Sequence, residues 1–213
     1  MAFGTEKRIY AGTAADQAVF DEGLRAYMLR VYNYMASGLA LTGIFAIVIA
    51  QMSFVTNDAG QLIGYTGLGQ TLFGSPLKWV VMLAPLGLVF FLSARIHALK
   101  ASTAQAVFWL YAALMGVSFA VILIQFTGAS VARVFFITAG TFAAMSLYGY
   151  TTKKDLSGFG SFLIMGLIGI ILAAIVNIFL QSSALQFAIS VIGVIVFVGL
   201  TAYDTQNIKN EYA

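Results

Sequence analysis

The amino-acid sequence predicts an all-α integral membrane protein, a compact polytopic bundle with six transmembrane helices. Three observations carry this. Hydrophobic residues make up 61% of the chain and charged residues 9%, against roughly 45–50% and about 25% in soluble domains. A soluble chain of 213 residues could not cover its surface with 11 basic and 8 acidic side chains. The charges are also bunched: charge-free stretches run from Arg30 to Asp58, Lys78 to Arg95, Lys100 to Arg133, Arg133 to Lys153 and Asp155 to Asp204. A bilayer core takes an apolar helix of ~20 residues; the first four stretches hold one each and the last holds two. Finally, with the N-terminus in the cytoplasm, 9 of the 11 Lys and Arg residues fall on the cytoplasmic side and 2, Lys78 and Arg133, on the other. That asymmetry obeys the positive-inside rule.

In chain order, residues 1–30 read as a cytoplasmic N-terminal segment without a cleavable signal, since no apolar h-region precedes the first span. Phe20, Leu24, Tyr27 and Val31 recur at helical spacing, which predicts an interfacial helix, with Asp16 a candidate cap. The spans are then expected at about 31–52, 76–94, 104–124, 131–150, 160–180 and 184–203, all in a single membrane domain covering 1–213. The stretch Gly60–Gly74 reads as a connecting loop. Trp79 and Trp109 read as aromatic-belt residues near span ends. The break inside the last charge-free stretch falls at Gln181-Ser182-Ser183. An even number of spans returns the C-terminus to the cytoplasm.

Composition also excludes functions. Cysteine is absent, so disulfides, thiolate nucleophiles and cysteine metal sites are out. The single histidine, His97, rules out sites needing two imidazoles and reads as an interfacial loop residue. No Walker loop, nucleophile elbow or HExxH motif occurs, so no enzyme and no cofactor are expected. A net charge of +3 concerns membrane orientation rather than a nucleic acid; the lipid bilayer is the expected partner.

One acid stands apart. Asp204 follows a 48-residue charge-free stretch and sits in Tyr203-Asp204-Thr205-Gln206. A carboxylate inside a membrane costs ~2.5–3.5 kcal/mol at mid-helix and usually marks an ion path or proton relay. The alternative is an ordinary surface acid, but at the C-terminal end of a helix the macrodipole disfavours it. Asn177, the one amide in the fifth span, reads as an interhelical hydrogen-bonding residue. Met145, Ser146, Tyr148 and Tyr150 read as a packing and anchoring end to the fourth span.

Several stretches resemble the Bax inhibitor-1 family, the transmembrane BAX inhibitor motif proteins, in its bacterial branch. They are SLYGYTTKKDLSGFGSFL (Ser146–Leu163), VNIFL (Val176–Leu180), VIVFVGLTAYDTQNIK (Val194–Lys209) and WLYAALMGVSFA (Trp109–Ala120). The resemblance implies a seven-helix bundle in the bacterial inner (plasma) membrane, of which six helices are present. It implies a pH-sensitive calcium leak channel or exchanger, or alternatively a regulator of a membrane-embedded quality-control protease with little transport. The family's pore-closing device is a pair of aspartates. One matches Asp204, which would also meet a transported calcium ion, with Tyr203, Gln206 and Asn177 as supporting polar residues. The other lies in a final-helix motif resembling LYLDFINLF, which does not occur before Ala213; the chain is expected to be a truncated or processed product, or an incomplete sequence. Asn177 is not a substitute for that acid. An arginine at the cytoplasmic end of the family's second helix matches Arg95. Two close carboxylates share a proton because both cannot ionise cheaply, so the resemblance implies gating by their proton, assisted by Arg95. Without the second acid a weaker pH response is expected. Oligomeric state is not specified by any of these features.

Overall fold

The computed structural model describes residues 5–57, 62–95 and 98–212, with side chains from residue 19 onward. Helix α1 runs Thr5–Ser53, followed by strands β1 (Phe54–Thr56) and β2 (Leu62–Tyr65) and the short turn α2 (Gly67–Gly69). A π-helical turn, Gln70–Gly74, leads into α3 (Leu77–Arg95), α4 (Ala101–Gln125), α5 (Gly128–Thr151), α6 (Ser157–Leu180) and α7 (Ser183–Asn210). Six of these helices are long and apolar enough to cross a membrane, which bears out the expected all-α polytopic architecture. Their surfaces are inverted relative to a soluble protein: Phe179 is 83% exposed and Phe136 72%. Contiguous apolar surface of this kind needs an apolar surrounding.

The ends of the elements differ from expectation in four places. Helix α1 is continuous from Thr5 to Ser53, so Asp16 lies inside it rather than at its start. Gly60–Gly74 is not a plain loop. β1 and β2 pair antiparallel with Phe54 opposite Tyr65, because Phe-Val-Thr and Leu-Ile-Gly-Tyr carry the β-branched and aromatic residues that suit strands. Trp109 is two turns inside α4, where its ring packs on Phe108 and Tyr34; Trp79 does sit at the start of α3. Helix α7 continues well past residue 203, to Asn210. His97 lies outside the described residues.

The chain groups into two compact units, Met1–Leu29 with Phe135–Ala213, and Arg30–Val134. In the second unit small residues let helices approach. Ala46, Ala112 and Ala120 are buried, and the Thr42 hydroxyl donates to the Ala112 carbonyl at 2.8 Å across α1 and α4. The Ser118 hydroxyl ties α4 to α3 by donating to the Val81 carbonyl at 2.8 Å. Pro85 sits inside α3 and is buried, a position membrane helices tolerate when neighbours cover the freed backbone groups. Thr66 joins the hairpin to α1: its hydroxyl donates to the Met52 carbonyl at 2.7 Å and its N–H to the Ser53 carbonyl at 3.0 Å.

In the first unit α6 and α7 form an antiparallel pair joined by a tight turn. Gln181 takes a left-handed conformation (φ 49°, ψ 33°) and its N–H donates to the Asn177 carbonyl at 2.8 Å. Ser182 then caps α7, its hydroxyl accepting from Leu185 N–H at 3.3 Å. The apolar run therefore breaks at the expected Gln-Ser-Ser.

Candidate functional site

The last two turns of α7 and the segment joining α5 to α6 meet in the first unit. The stripe that makes this possible is Val196, Gly199, Ala202, Thr205 and Gln206, buried at helical spacing along one face of α7. Gly149 of α5 lies directly against the Ala202 backbone, an approach that leaves no room for a side chain at 149. The Tyr203 ring covers Gly160 at the start of α6 in the same way.

Gln206 is the centre of the polar contacts. Its Oε1 accepts from Leu156 N–H at 2.8 Å, and its Nε2 donates to the Lys154 carbonyl at 2.8 Å. One buried amide thus satisfies a donor and an acceptor of a connecting segment that has no ladder of its own. Lys209, in the last turn of α7, donates from Nζ to the Tyr150 carbonyl at 2.9 Å and lies 5.5 Å from the centroid of that residue's ring. It neutralises two helix ends at once: a cation in the last turn of α7, and a donor to an orphan carbonyl near the end of α5. Tyr212 continues the seam, its ring 5.3 Å from that of Tyr27 and 5.4 Å from that of Phe20 on α1. Leu24 and Met28 on the same stretch of α1 are buried.

Asp155 opens α6. Its Oδ1 accepts from Ser157 N–H at 2.9 Å, satisfying one of the helix's orphan donors. The Ser157 hydroxyl and N–H together hold the Asp155 carboxyl below the usual carboxylate range.

Asp204 lies off the buried stripe, next to Thr205 and Gln206 in sequence, and is exposed. Among the described residues no hydrogen bond or ion pair reaches its carboxylate. It is six residues short of the end of α7, not at the end as expected. The macrodipole acts mainly within the last turn, so it is Lys209, not Asp204, that feels it. Arg95 belongs to the second unit, where it is the basic residue of the last turn of α3 and is exposed.

Asn177 is not deep in its span. It sits one turn from the end of α6, half-buried, and its Oδ1 accepts from Ser182 N–H at 3.0 Å. The bond is local to the α6–α7 turn rather than interhelical at depth, because the left-handed Gln181 brings the Ser182 N–H back over the helix end. Of the polar residues singled out from the sequence, Gln206 therefore holds the α5–α6 segment and Tyr203 covers the start of α6, while Asn177 serves the opposite end of α6. The roles of Lys209, Asp155 and Tyr212 were not read from the sequence. A basic residue in the last turn of the last helix was the available signal for the first. Among the described residues no group of three or more His, Cys, Asp or Glu side chains could hold a metal ion. A single carboxylate falls well short of the six to eight oxygens that calcium takes at a resident site.

Comparison with known proteins adds to this geometry. The family described as "Inhibitor of apoptosis-promoting Bax1" matches residues 24–213. An uncharacterized protein of Rickettsia prowazekii, RP147, is 47% identical over 200 residues, 94% of this chain and 79% of that protein. The inner membrane protein YbhL of Escherichia coli K12 is 48% identical over 189 residues, 88% of this chain and 75% of that protein. A Caulobacter vibrioides protein is 46% identical over 203 residues, 93% of this chain and 77% of its own length.

Proposed function

The chain belongs to the Bax inhibitor-1 family of membrane proteins, and from that membership we propose that it is a bacterial inner-membrane protein that passes calcium ions under proton control. The membrane assignment follows the relative named as an inner membrane protein and the six apolar helices. The observation that carries the gating part is Asp204, an exposed carboxylate on a long apolar helix with no partner among the described residues. Such a group must meet water, a cation or a proton. It adjoins the buried Thr205 and is two residues from Gln206, whose amide holds the α5–α6 segment. A change of charge at 204 therefore acts on the helix that holds this segment. Arg95 is the second residue of the proposal, as the cation that favours the closed arrangement. The N-terminus is on the cytoplasmic side, which places Lys153, Lys154 and Lys209 there too.

The test is calcium flux into liposomes containing the purified protein. Flux above that of protein-free vesicles supports the reading. Its absence favours regulation of a membrane protease, for which the exposed Lys153-Lys154-Asp155 segment, held firmly by Gln206, offers a fixed docking surface.

A further inference from the structure

The second unit contains a cavity of about 180 Å³ that the gating proposal does not use. It lies between the hairpin, the start of α3 and the end of α4. One wall is aromatic: Phe54 stacks on Phe73 at 5.2 Å and tilts on Tyr65 at 5.6 Å. The opposite wall is aliphatic, with Val81 on α3 and Val121 and Ile124 on α4. Ser118, which also lines it, spends its hydroxyl on the Val81 and Leu114 carbonyls and offers the interior little. Lys78 is the one charged residue of the lining, and it is exposed.

Size, polarity and position each narrow the occupant. An apolar cavity of ~150 Å³ stays dry and takes a benzene-sized group, so this one takes a hydrocarbon segment of similar bulk. Water is disfavoured because few polar atoms face inward. The cation at the rim asks for an anion attached to that hydrocarbon. The neighbouring Trp79 is 59% exposed at the start of α3, with the Lys78 ammonium 5.6 Å from its ring centroid. An exposed Trp beside a Lys at the end of an apolar helix marks the headgroup level of a bilayer. We propose that this cavity, with Lys78 at its rim, binds an anionic phospholipid of the surrounding bilayer, its acyl chain against Phe54 and Val121 and its phosphate on Lys78. The site is independent of Asp204, and calcium flux plays no part in its test.

The chain has two tryptophans, Trp79 and Trp109, so Trp109→Phe leaves Trp79 as a single reporter beside the cavity. That variant is placed in vesicles of phosphatidylcholine containing a small fraction of either phosphatidylglycerol or phosphatidylcholine with brominated acyl chains. Brominated phosphatidylglycerol is expected to quench Trp79 at about fivefold lower mole fraction than brominated phosphatidylcholine, the preference one lysine gives near an anionic lipid. Lys78→Gln should abolish the difference. Val121→Phe, which fills the cavity and leaves the charge, should weaken quenching by phosphatidylglycerol while helix content by circular dichroism is kept. Equal quenching by the two lipids overturns the assignment, as does a preference that survives Lys78→Gln. Quenching by a brominated free fatty acid but not by brominated phosphatidylglycerol would also overturn it, giving the cavity to a free amphiphile.

Discussion

Gln206 shows what one side chain does here. Its amide is 7% exposed and joins two backbone groups of a neighbouring segment. Gln206→Leu leaves the Leu156 N–H and the Lys154 carbonyl without partners, at about 1–3 kcal/mol for each group that stays buried. A fall of several degrees in the detergent unfolding midpoint is expected, whereas Lys153→Gln, at an exposed neighbour, should leave it within a degree or so. A second prediction concerns Asp155. Its pKa is lowered in the folded state by Ser157, so its contribution to stability is full above its unfolded value, about 3.9. That contribution is lost as pH falls through the lower folded value. The unfolding midpoint of Asp155→Ala should lie below that of the unaltered protein by a constant amount above pH ~4.5, and the two should converge in more acidic solution. A gap that persists at full width there would assign the residue a role other than an ionised cap.

At the scale of elements, the α6–α7 pair depends on what is missing from Gly160 as much as on what is present at Tyr203. Gly160→Leu would drive a side chain into the Tyr203 ring and move α7 away from the α5–α6 segment; overpacking of this kind costs about 1–3 kcal/mol. Amide exchange at Leu156, whose N–H is held by Gln206, should quicken in that variant, while exchange at Ala112 in the other unit should not. Spans were legible because a charge-free run of about 20 residues has few other uses. Termini were less so. The ends of α1 and α7 extend beyond the apolar run, since a helix continues in water wherever packing holds it, as Tyr212 does against Tyr27 and Phe20. The hairpin at Phe54 and Leu62 was hidden because its strands are three and four residues long and lie in a Gly-rich stretch. Asn177 was misjudged for depth because hydropathy locates a span but not the turn that bends back over its end.

At the scale of the whole molecule, orientation and gating remain proposals with direct tests. From the distribution of basic residues, single cysteines at Ile63 and Lys153, both exposed, should react with an impermeant maleimide from opposite faces of intact inner-membrane vesicles. Reaction of both from one face would contradict the topology. The YDTQ stretch was the most informative part of the sequence: it pointed to Asp204 as the unusual acid and to Gln206 as its companion. It could not reveal that the two residues face differently, one into a packed seam and one out of it. That depends on which face of α7 meets α5 and α6, fixed by Gly149 and Gly160, far away in sequence. The central claim is that the charge on Asp204 sets the flux. It is tested by calcium flux in liposomes across the acidic-to-neutral range for the unaltered chain, for Asp204→Asn and for Asn177→Leu, whose bond lies at the other end of α6. Asparagine holds position 204 neutral, so the Asp204→Asn curve should be flat, at the level the unaltered protein reaches in acid, while Asn177→Leu keeps the original pH profile. An Asp204→Asn protein whose flux still follows pH as before would contradict the claim and leave Asp204 an exposed acid without a part in gating.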